Sequence, residues 1–292
     1  MKILFTEHNF CPETPARLVQ AGHEVDIVKE EVANVHEFDR TALLATLKDI
    51  RPDVLVVGFR FQIDKQVLDS APIKAVFTRT TGRDHIDLKY CEEKGIEVVN
   101  LKGEELTDVV AVPELTLWAM LELVRKRDGR ELKGKTLGVI GMGRIGKQLE
   151  SYTNKLGMSV IGWDKDKMYV PSSLDQQALD EEIYKGYKAL SFCDIVSLNI
   201  SSTEENRNFM DLEKFKMMKD GSYFLNSARG WLVDNDALKW ALDNKLAGAW
   251  SDFPVPFEHP KLLITNHIGG RTLESSQKTE VIIVNKLLEW LK

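Results

Sequence analysis

The sequence predicts an α/β protein with two doubly wound parallel sheets. Short apolar runs alternate with longer amphipathic stretches along most of the 292 residues, and strands that alternate with helices are typical of a parallel sheet covered on both faces. The alternation occurs twice, on either side of a charged stretch with two glycines at 125–135. Because a chain of this length commonly forms two domains, each half is predicted to form its own sheet.

Five strands and four helices are predicted in the first half of the chain. Strands are indicated by short runs of β-branched and other apolar residues, and helices by apolar residues three or four positions apart. The predicted strands are 2–6, 24–28, 53–57, 74–78 and 97–99, and the predicted helices are 14–21, 40–48, 65–70 and 88–94.

The second half begins with a long apolar helix, predicted at 107–127 despite Pro113. The strands that follow are predicted at 136–140, 159–163, 195–199, 222–226, 248–251 and 262–265, and the helices at 145–156, 212–218, 236–244 and 273–291. A second parallel sheet is therefore expected between residue 136 and the last helix.

The composition argues against binding to nucleic acid or to a membrane. Lys and Arg number 39 against 45 for Asp and Glu, a net charge of −6, which gives no general attraction to phosphate backbones or anionic lipid. No apolar run approaches the ~20 residues of a membrane-spanning helix. Cys11, Cys91 and Cys193 are isolated and lack metal-ligand spacing. We therefore expect a cytoplasmic protein without a metal site.

A glycine-rich motif lies between the strand at 136–140 and the next helix. Gly141 permits a tight turn, Gly143 allows the backbone to approach a pyrophosphate, and Gly146 allows the helix to pack against the strand. A plain glycine-rich turn is the alternative, but this strand-and-helix context favours a dinucleotide. The cofactor-binding residues predicted here are Gly141, Gly143, Arg144, Ile145 and Gly146.

Asp164 ends the next predicted strand and indicates which dinucleotide is bound. A carboxylate at this point accepts hydrogen bonds from the adenosine ribose and repels a 2′-phosphate. The sequence therefore predicts NAD, although the nearby Lys165 and Lys167 leave NADP open.

Two further polar residues follow strand-like runs, at the sheet edge where ligands bind in parallel sheets. Arg229 can bind a carboxylate with two parallel hydrogen bonds, and His267 can accept and return a proton near neutral pH. Taken singly, Arg229 would more often be a surface ion-pair partner and His267 more often a hydrogen-bonded structural residue. Together with the glycine motif they predict an active site.

These motifs resemble, in order and over nearly the whole chain, the D-isomer-specific 2-hydroxyacid dehydrogenase family. The glycine motif is similar to the family's GxGxIG, residues 226–234 to its NxARGxxVD, and residues 266–270 to its PHIGG with Asn266 in place of proline. The resemblance implies a flavodoxin-like substrate domain (1–100 plus 272–292), a Rossmann NAD-binding domain (101–271) and a cleft between them.

The resemblance also implies roles for single residues. Arg229 would bind the substrate carboxylate and polarise the carbonyl, and His267 would be the acid/base. Ala228 and Asp252 would contact the cofactor. The implied substrate-binding residues are Arg60, Gly82, Arg83, Arg229 and His267.

Two features bear on the substrate and on assembly. Arg60, Arg79 and Arg83 favour an anionic substrate tail, although Arg79 could equally pair with Asp84 or Asp87. The apolar breadth of the helix at 107–127 resembles the family's dimer contact and predicts a homodimer.

One segment departs from the family pattern. Relatives have a DVFxxEP segment whose glutamate orients the histidine, whereas this chain has Asp252 followed by Phe253 and, late, by Glu258. Either Glu258 takes the partner role, or the glutamate is lost and Pro256 or Phe257 occupies its place. Losing the carboxylate would weaken the base.

The expected function is hydride transfer between NAD(H) and a small D-2-hydroxy acid or 2-keto acid. One alternative is a catalytically weak NAD(H)-sensing or corepressor-like protein on the same fold. Another is a dehydrogenase for formate or phosphite. NADH binding with and without keto-acid turnover would separate the first two, and activity on those anions would identify the third.

Overall fold

A computed structural model describes residues 1–7, 10–28, 40–165, 167–169 and 187–292, with Lys167 described for its backbone alone. The chain forms two compact units, Met1–Val109 with Thr272–Lys292, and Val110–Arg271. The first boundary therefore lies at Val109, beyond the predicted residue 100.

The first unit contains a five-stranded sheet in which each pair of neighbouring strands is parallel. The strands are β1 Lys2–Phe5, β2 Glu24–Ile27, β3 Val54–Val57, β4 Ala75–Thr78 and β5 Glu97–Val99, and their order is β2-β1-β3-β4-β5. Every residue of β3 and β4 is buried. Both strands are continuous apolar runs because helices cover both faces of the sheet.

The helices of the first unit begin close to their predicted positions. They are α1 Glu13–Gln20, α2 Arg40–Ile50, α3 Lys65–Leu68 and α4 Leu88–Lys94, followed by a 3-10 turn at Gly103–Leu106. The side chains of Asp64 and Asp87 accept hydrogen bonds from Val67 N and Tyr90 N, and so cap α3 and α4.

The second unit contains a seven-stranded sheet. Its strands are β6 Thr136–Ile140, β7 Ser159–Asp164, β8 Lys167–Tyr169, β9 Ile195–Leu198, β10 Tyr223–Asn226, β11 Gly248–Ser251 and β12 Leu262–Ile264, in the order β12-β11-β10-β9-β6-β7-β8. Strand β8 was not predicted and pairs antiparallel with β7. The residues of β8 are Lys-Met-Tyr, whereas the equally short β5 and β12, which were predicted, contain runs of Val, Leu or Ile.

The predicted helix at 107–127 begins later in the structure, ends at the predicted residue and changes type along its length. Helix α5 spans Ala111–Met120 and continues as a π-helix over Leu121–Arg127. Pro113 lies in the first turn, where the N–H that proline lacks would have no partner within the helix. The other α-helices among the described residues of this unit are α6 Arg144–Lys155, α7 Leu212–Met217 and α8 Asn235–Asn244.

The last helix, α9 Leu273–Trp290, belongs to the first unit. Its residues Ile283, Val284 and Leu287 are fully buried and share a core with residues of β1, β3 and β4. Among the described residues, no helix combines the length and apolar character needed to cross a membrane.

Candidate active site

The turn between β6 and α6 requires glycine at two positions for steric reasons. Gly141 has a φ of +100°, and a Cβ there would lie 2.6 Å from the carbonyl oxygen of Asn199. At Gly146 a Cβ would lie 2.2 Å from the carbonyl oxygen of Gly141. The backbone therefore closes tightly behind the turn, as the motif predicted.

The space around Gly143 is open. No atom lies within 4 Å of the position that a Cβ would occupy, and Gly143 directly precedes the first residue of α6. Unpaired amides at a helix N-terminus favour an anion. A pyrophosphate can therefore approach the backbone at Gly143, and this fits the dinucleotide predicted from the motif.

Two charged residues flank this turn. Arg144 opens α6 and is half-buried, and burial lowers the pKa of its guanidinium. Asp164 is the last residue of β7 and is half-buried. Asp164 therefore ends the strand next to the glycine turn, where a ribose-binding carboxylate is expected. The side chain of Lys167 lies outside the described residues.

Asn226 shapes the turn that carries Arg229. Asn226 ends β10 and is 2% exposed. Its Oδ1 accepts from the N–H of Ala228 at 3.0 Å, and its Nδ2 donates to the carbonyl oxygen of Arg229 at 2.8 Å. Ser227 is held separately, since its hydroxyl donates to Asn199 Oδ1. The half-buried Arg229 is thus presented at the carboxyl end of its strand.

Asp252 holds the loop that carries His267. It is 2% exposed, and its Oδ1 accepts from the hydroxyl of Thr265 at 2.7 Å and from the N–H of Ile268 at 2.9 Å. Its Oδ2 accepts from the N–H of Gly269 at 2.8 Å. Burial raises the pKa of Asp252, although these hydrogen bonds act in the opposite direction. The carboxylate therefore organises the backbone on both sides of Asn266 and His267.

Phe253 lies against both predicted catalytic residues. The guanidinium carbon of Arg229 is 5.6 Å from the centroid of the Phe253 ring. The imidazole of His267 is 4.6 Å from the same ring, centroid to centroid, with the planes inclined by 48°. Arg229 and His267 are 38 positions apart in the sequence, yet they meet at one aromatic side chain.

Glu258 is not brought to His267. Its side chain is exposed, and within the described part of the chain it forms no hydrogen bond or ion pair. Its neighbour His259 contacts Asp243 at 3.2 Å instead. The partner role of Glu258 stays a prediction, without a contact that supports it.

The predicted substrate residues of the first unit lie in loops after β3 and β4. The backbone N–H of Arg60 donates to Glu7 Oε1 at 3.0 Å, and the carbonyl oxygen of Gly82 accepts from the hydroxyl of Thr80 at 2.7 Å. The side chain of Arg83 is exposed.

Arg79 pairs with two carboxylates that the sequence had not suggested. It binds Glu7 at 3.0 Å and Glu280 at 3.1 Å, and all three side chains are at most 7% exposed. Because Arg79 lies between two buried carboxylates, its charge is balanced within the first unit. Arg79 therefore gives no support to the expectation of an anionic substrate tail.

The sequence analysis did not identify the hydrogen bonds of Asn226 to its turn or the contacts of Phe253 with Arg229 and His267. The signal for Asn226 was present, because an Asn at the end of a buried strand commonly hydrogen-bonds the turn that follows. Nothing in the sequence indicated the position of Phe253 between Arg229 and His267.

Comparison with known proteins places the chain in one family. Residues 117–269 match the family model described as D-isomer specific 2-hydroxyacid dehydrogenase, NAD binding domain. A glyoxylate reductase from Thermofilum pendens is 30% identical, and the match covers 87% of this chain and 82% of that protein. A D-3-phosphoglycerate dehydrogenase from Methanocaldococcus jannaschii is 33% identical over 90% of this chain, which spans 54% of that relative.

A solved structure has the same fold. The NAD⁺-bound 3-phosphoglycerate dehydrogenase of Entamoeba histolytica superposes with a TM-score of 0.81 at 22% identity, covering 100% of this chain and 95% of that one. The family match and the open glycine turn agree on NAD as the cofactor. The chain belongs to the D-isomer-specific 2-hydroxyacid dehydrogenases, a family of NAD-dependent oxidoreductases that act on hydroxy and keto acids.

Proposed function

We propose that this protein reduces a small 2-keto acid to the D-2-hydroxy acid, with Arg229 binding the substrate carboxylate and His267 exchanging the proton. The observation that carries the proposal is the contact of both side chains with Phe253. A guanidinium binds a carboxylate through two parallel N–H groups. An imidazole close by can donate its proton to the oxygen that becomes the hydroxyl.

The cofactor would be held by the turn after β6. Gly141, Gly143 and Gly146 would accommodate its pyrophosphate at the N-terminus of α6, and Asp164 would accept hydrogen bonds from its ribose. Arg144, Ile145, Ala228 and Asp252 keep their predicted role as further cofactor contacts. When bound, NADH supplies the hydride.

In the direction of reduction, Arg229 neutralises the carboxylate and draws electron density from the adjacent carbonyl. His267 enters the reaction protonated, stabilises the developing negative charge on the oxygen and then transfers its proton there. In the direction of oxidation, His267 takes the hydroxyl proton. This scheme gives Glu258 no step, and Arg60, Gly82 and Arg83 keep their predicted substrate-binding role.

The experiment is an assay of NADH oxidation with a panel of keto acids. The panel contains glyoxylate, hydroxypyruvate, pyruvate, longer 2-keto acids and phosphohydroxypyruvate, because the similar proteins include a glyoxylate reductase and phosphoglycerate dehydrogenases. We expect turnover of at least one unphosphorylated acid. Tight NADH binding without turnover of any acid would contradict the proposal and favour a sensing protein. Activity with NAD and formate or phosphite alone would assign a different substrate.

We further propose that the protein acts as a homodimer in the cytoplasm. The support for a dimer is that Trp118 and Leu121, one helical turn apart, are 41% and 43% exposed. Three isolated cysteines without paired spacing suit a reducing compartment. Light scattering should give twice the chain mass of 33.2 kDa, and a monomeric mass that persists at micromolar concentration would contradict the dimer.

A further inference from the structure

We infer that Phe253 is a positioning residue, whose ring holds the guanidinium of Arg229 and the imidazole of His267 in the orientation that the reaction needs. This inference rests on the proposed function, because it concerns the same two side chains. It adds a residue to which the sequence gave no role.

The ring of Phe253 contacts both side chains. Phe253 is 8% exposed, and its centroid lies 5.6 Å from the guanidinium carbon of Arg229 and 4.6 Å from the centroid of His267. Arg229 follows β10, Phe253 follows β11 and His267 follows β12. Because these three parallel strands are neighbours, one ring in the middle position can contact the side chains on either side.

The backbone that carries the ring of Phe253 is held by its neighbours. Ser251 is 3% exposed. Its hydroxyl accepts from the N–H of Phe253 at 3.1 Å and donates to the carbonyl oxygen of Phe253 at 2.9 Å. A Cβ on Gly230 would lie 3.3 Å from the Cβ of Phe253. A residue held closely on two sides can hold other side chains in turn.

The ring of Phe253 also favours positive charge on the two side chains that it contacts. The face of a benzene ring carries partial negative charge and attracts a cation such as guanidinium. The same attraction favours the protonated imidazole over the neutral one. Charged groups around this loop include Asp252, which holds its backbone, Arg271, whose charge acts on Asp252, and Arg229, which contacts the same ring. All three remain when Phe253 is changed, so a changed titration of His267 would report on the ring and on the position of Arg229 that the ring sets.

The test compares Phe253→Leu with Phe253→Tyr. Leucine keeps an apolar side chain but removes the aromatic face, whereas tyrosine keeps the ring. For Phe253→Leu we expect kcat to fall about tenfold and the keto-acid KM to rise several-fold, as for the loss of one or two cation–π contacts. We expect Phe253→Tyr to stay within about threefold of the unmodified enzyme.

Two readouts separate positioning from stability. An NMR titration of the His267 imidazole, followed without substrate, should move to lower pH by about half a unit in Phe253→Leu and hardly at all in Phe253→Tyr. Phe215→Leu is the matched control. Phe215 is fully buried against Phe224, so this substitution removes an aromatic ring elsewhere in the same unit. Phe215→Leu should lower the melting temperature and leave the imidazole titration unchanged.

Each outcome decides the inference. The inference would be overturned if Phe253→Leu left both kcat and the titration of His267 unchanged. It would also be overturned if Phe215→Leu lowered kcat and shifted that titration as much as Phe253→Leu does. If Phe253→Leu does not fold, an unchanged titration in Phe253→Met, which keeps volume without a ring, would overturn it instead. If the wild-type protein turns over none of the keto acids, the proposed function is wrong. The titration of the His267 imidazole would still test whether it contacts the ring of Phe253.

Discussion

The main-chain N–H of His267 donates to the carbonyl oxygen of Asp252 at 2.7 Å, and His267 adopts a φ of +52°. A non-glycine residue in this left-handed region is uncommon and is held there by its surroundings. Asp252 supplies that hold through its carbonyl oxygen and through its carboxylate, which accepts from Ile268 and Gly269. The conformation that presents the imidazole therefore depends on a residue fifteen positions earlier in the chain.

Replacing Asp252 with asparagine should reduce activity more than it reduces folding. The amide group of asparagine would direct an N–H at one of the donors that the carboxylate now accepts, and the loop would lose at least one hydrogen bond. We expect kcat to fall at least about tenfold and the free energy of unfolding to fall by about 1–3 kcal/mol. Steady-state kinetics and urea unfolding measure both. The control is Asp220→Asn, at an 89% exposed side chain, and equal losses in the two variants would contradict the role of Asp252.

Alanine substitutions in the glycine turn should separate cofactor binding from folding. Gly143→Ala has space for the new methyl group and should fold normally, but the methyl group would stand where the pyrophosphate approaches. We expect its NADH dissociation constant to rise at least about tenfold. Gly146→Ala would place the methyl group 2.2 Å from the carbonyl oxygen of Gly141 and should lower the melting temperature. Fluorescence titration and thermal melting distinguish the two, and unimpaired NADH binding in Gly143→Ala would contradict this site.

Arg229 and His267 should differ in their kinetic effects. In the proposed mechanism Arg229 contacts the substrate before and during the reaction, so Arg229→Ala should raise KM and lower kcat. His267→Ala removes the proton donor, so kcat should fall by about 10²–10⁴ with a smaller change in KM. Arg229→Lys should not restore full activity, because an ammonium group cannot form the paired hydrogen bonds. A variant of His267 with unimpaired kcat would remove it from the mechanism.

Acid should weaken the first unit through Asp53. A hydrogen bond from Lys74, followed by one from the N–H of Lys2, holds the pKa of Asp53 below its ordinary value. Because the folded pKa is lower than the unfolded one, the ionised form stabilises the fold above about pH 4, and this is lost as the pH falls through the folded value. Asp53→Asn should cost about 1 kcal/mol at pH 7 and nothing well below pH 4.

Urea unfolding at the two pH values measures this difference. Asp26→Asn changes an exposed aspartate on β2 and serves as the control. An equal cost of Asp53→Asn at both pH values would contradict the ion-paired role of the carboxylate.

The glycine turn and the two loops with Arg229 and His267 could be predicted from the sequence because each depends on local chemistry. Glycine is required where a Cβ would meet the backbone, and ligand-binding side chains follow the strands of a parallel sheet. The partners of Arg79 could not be predicted, since Glu280 is 201 positions away. The place of Phe253 was equally hidden, because it follows from packing across three strands. The partner role of Glu258 came from resemblance to a family segment and stays a prediction, since the side chain of Glu258 is exposed in the structure.

The packing of α9 has a consequence for synthesis of the protein on the ribosome. The core formed by β1, β3 and β4 is completed by Ile283, Val284 and Leu287. Those residues emerge only after every strand of the other sheet has been translated. The second unit can thus acquire its native structure while the first still exposes apolar surface, so a nascent chain stalled before residue 273 should recruit chaperones through its N-terminal half.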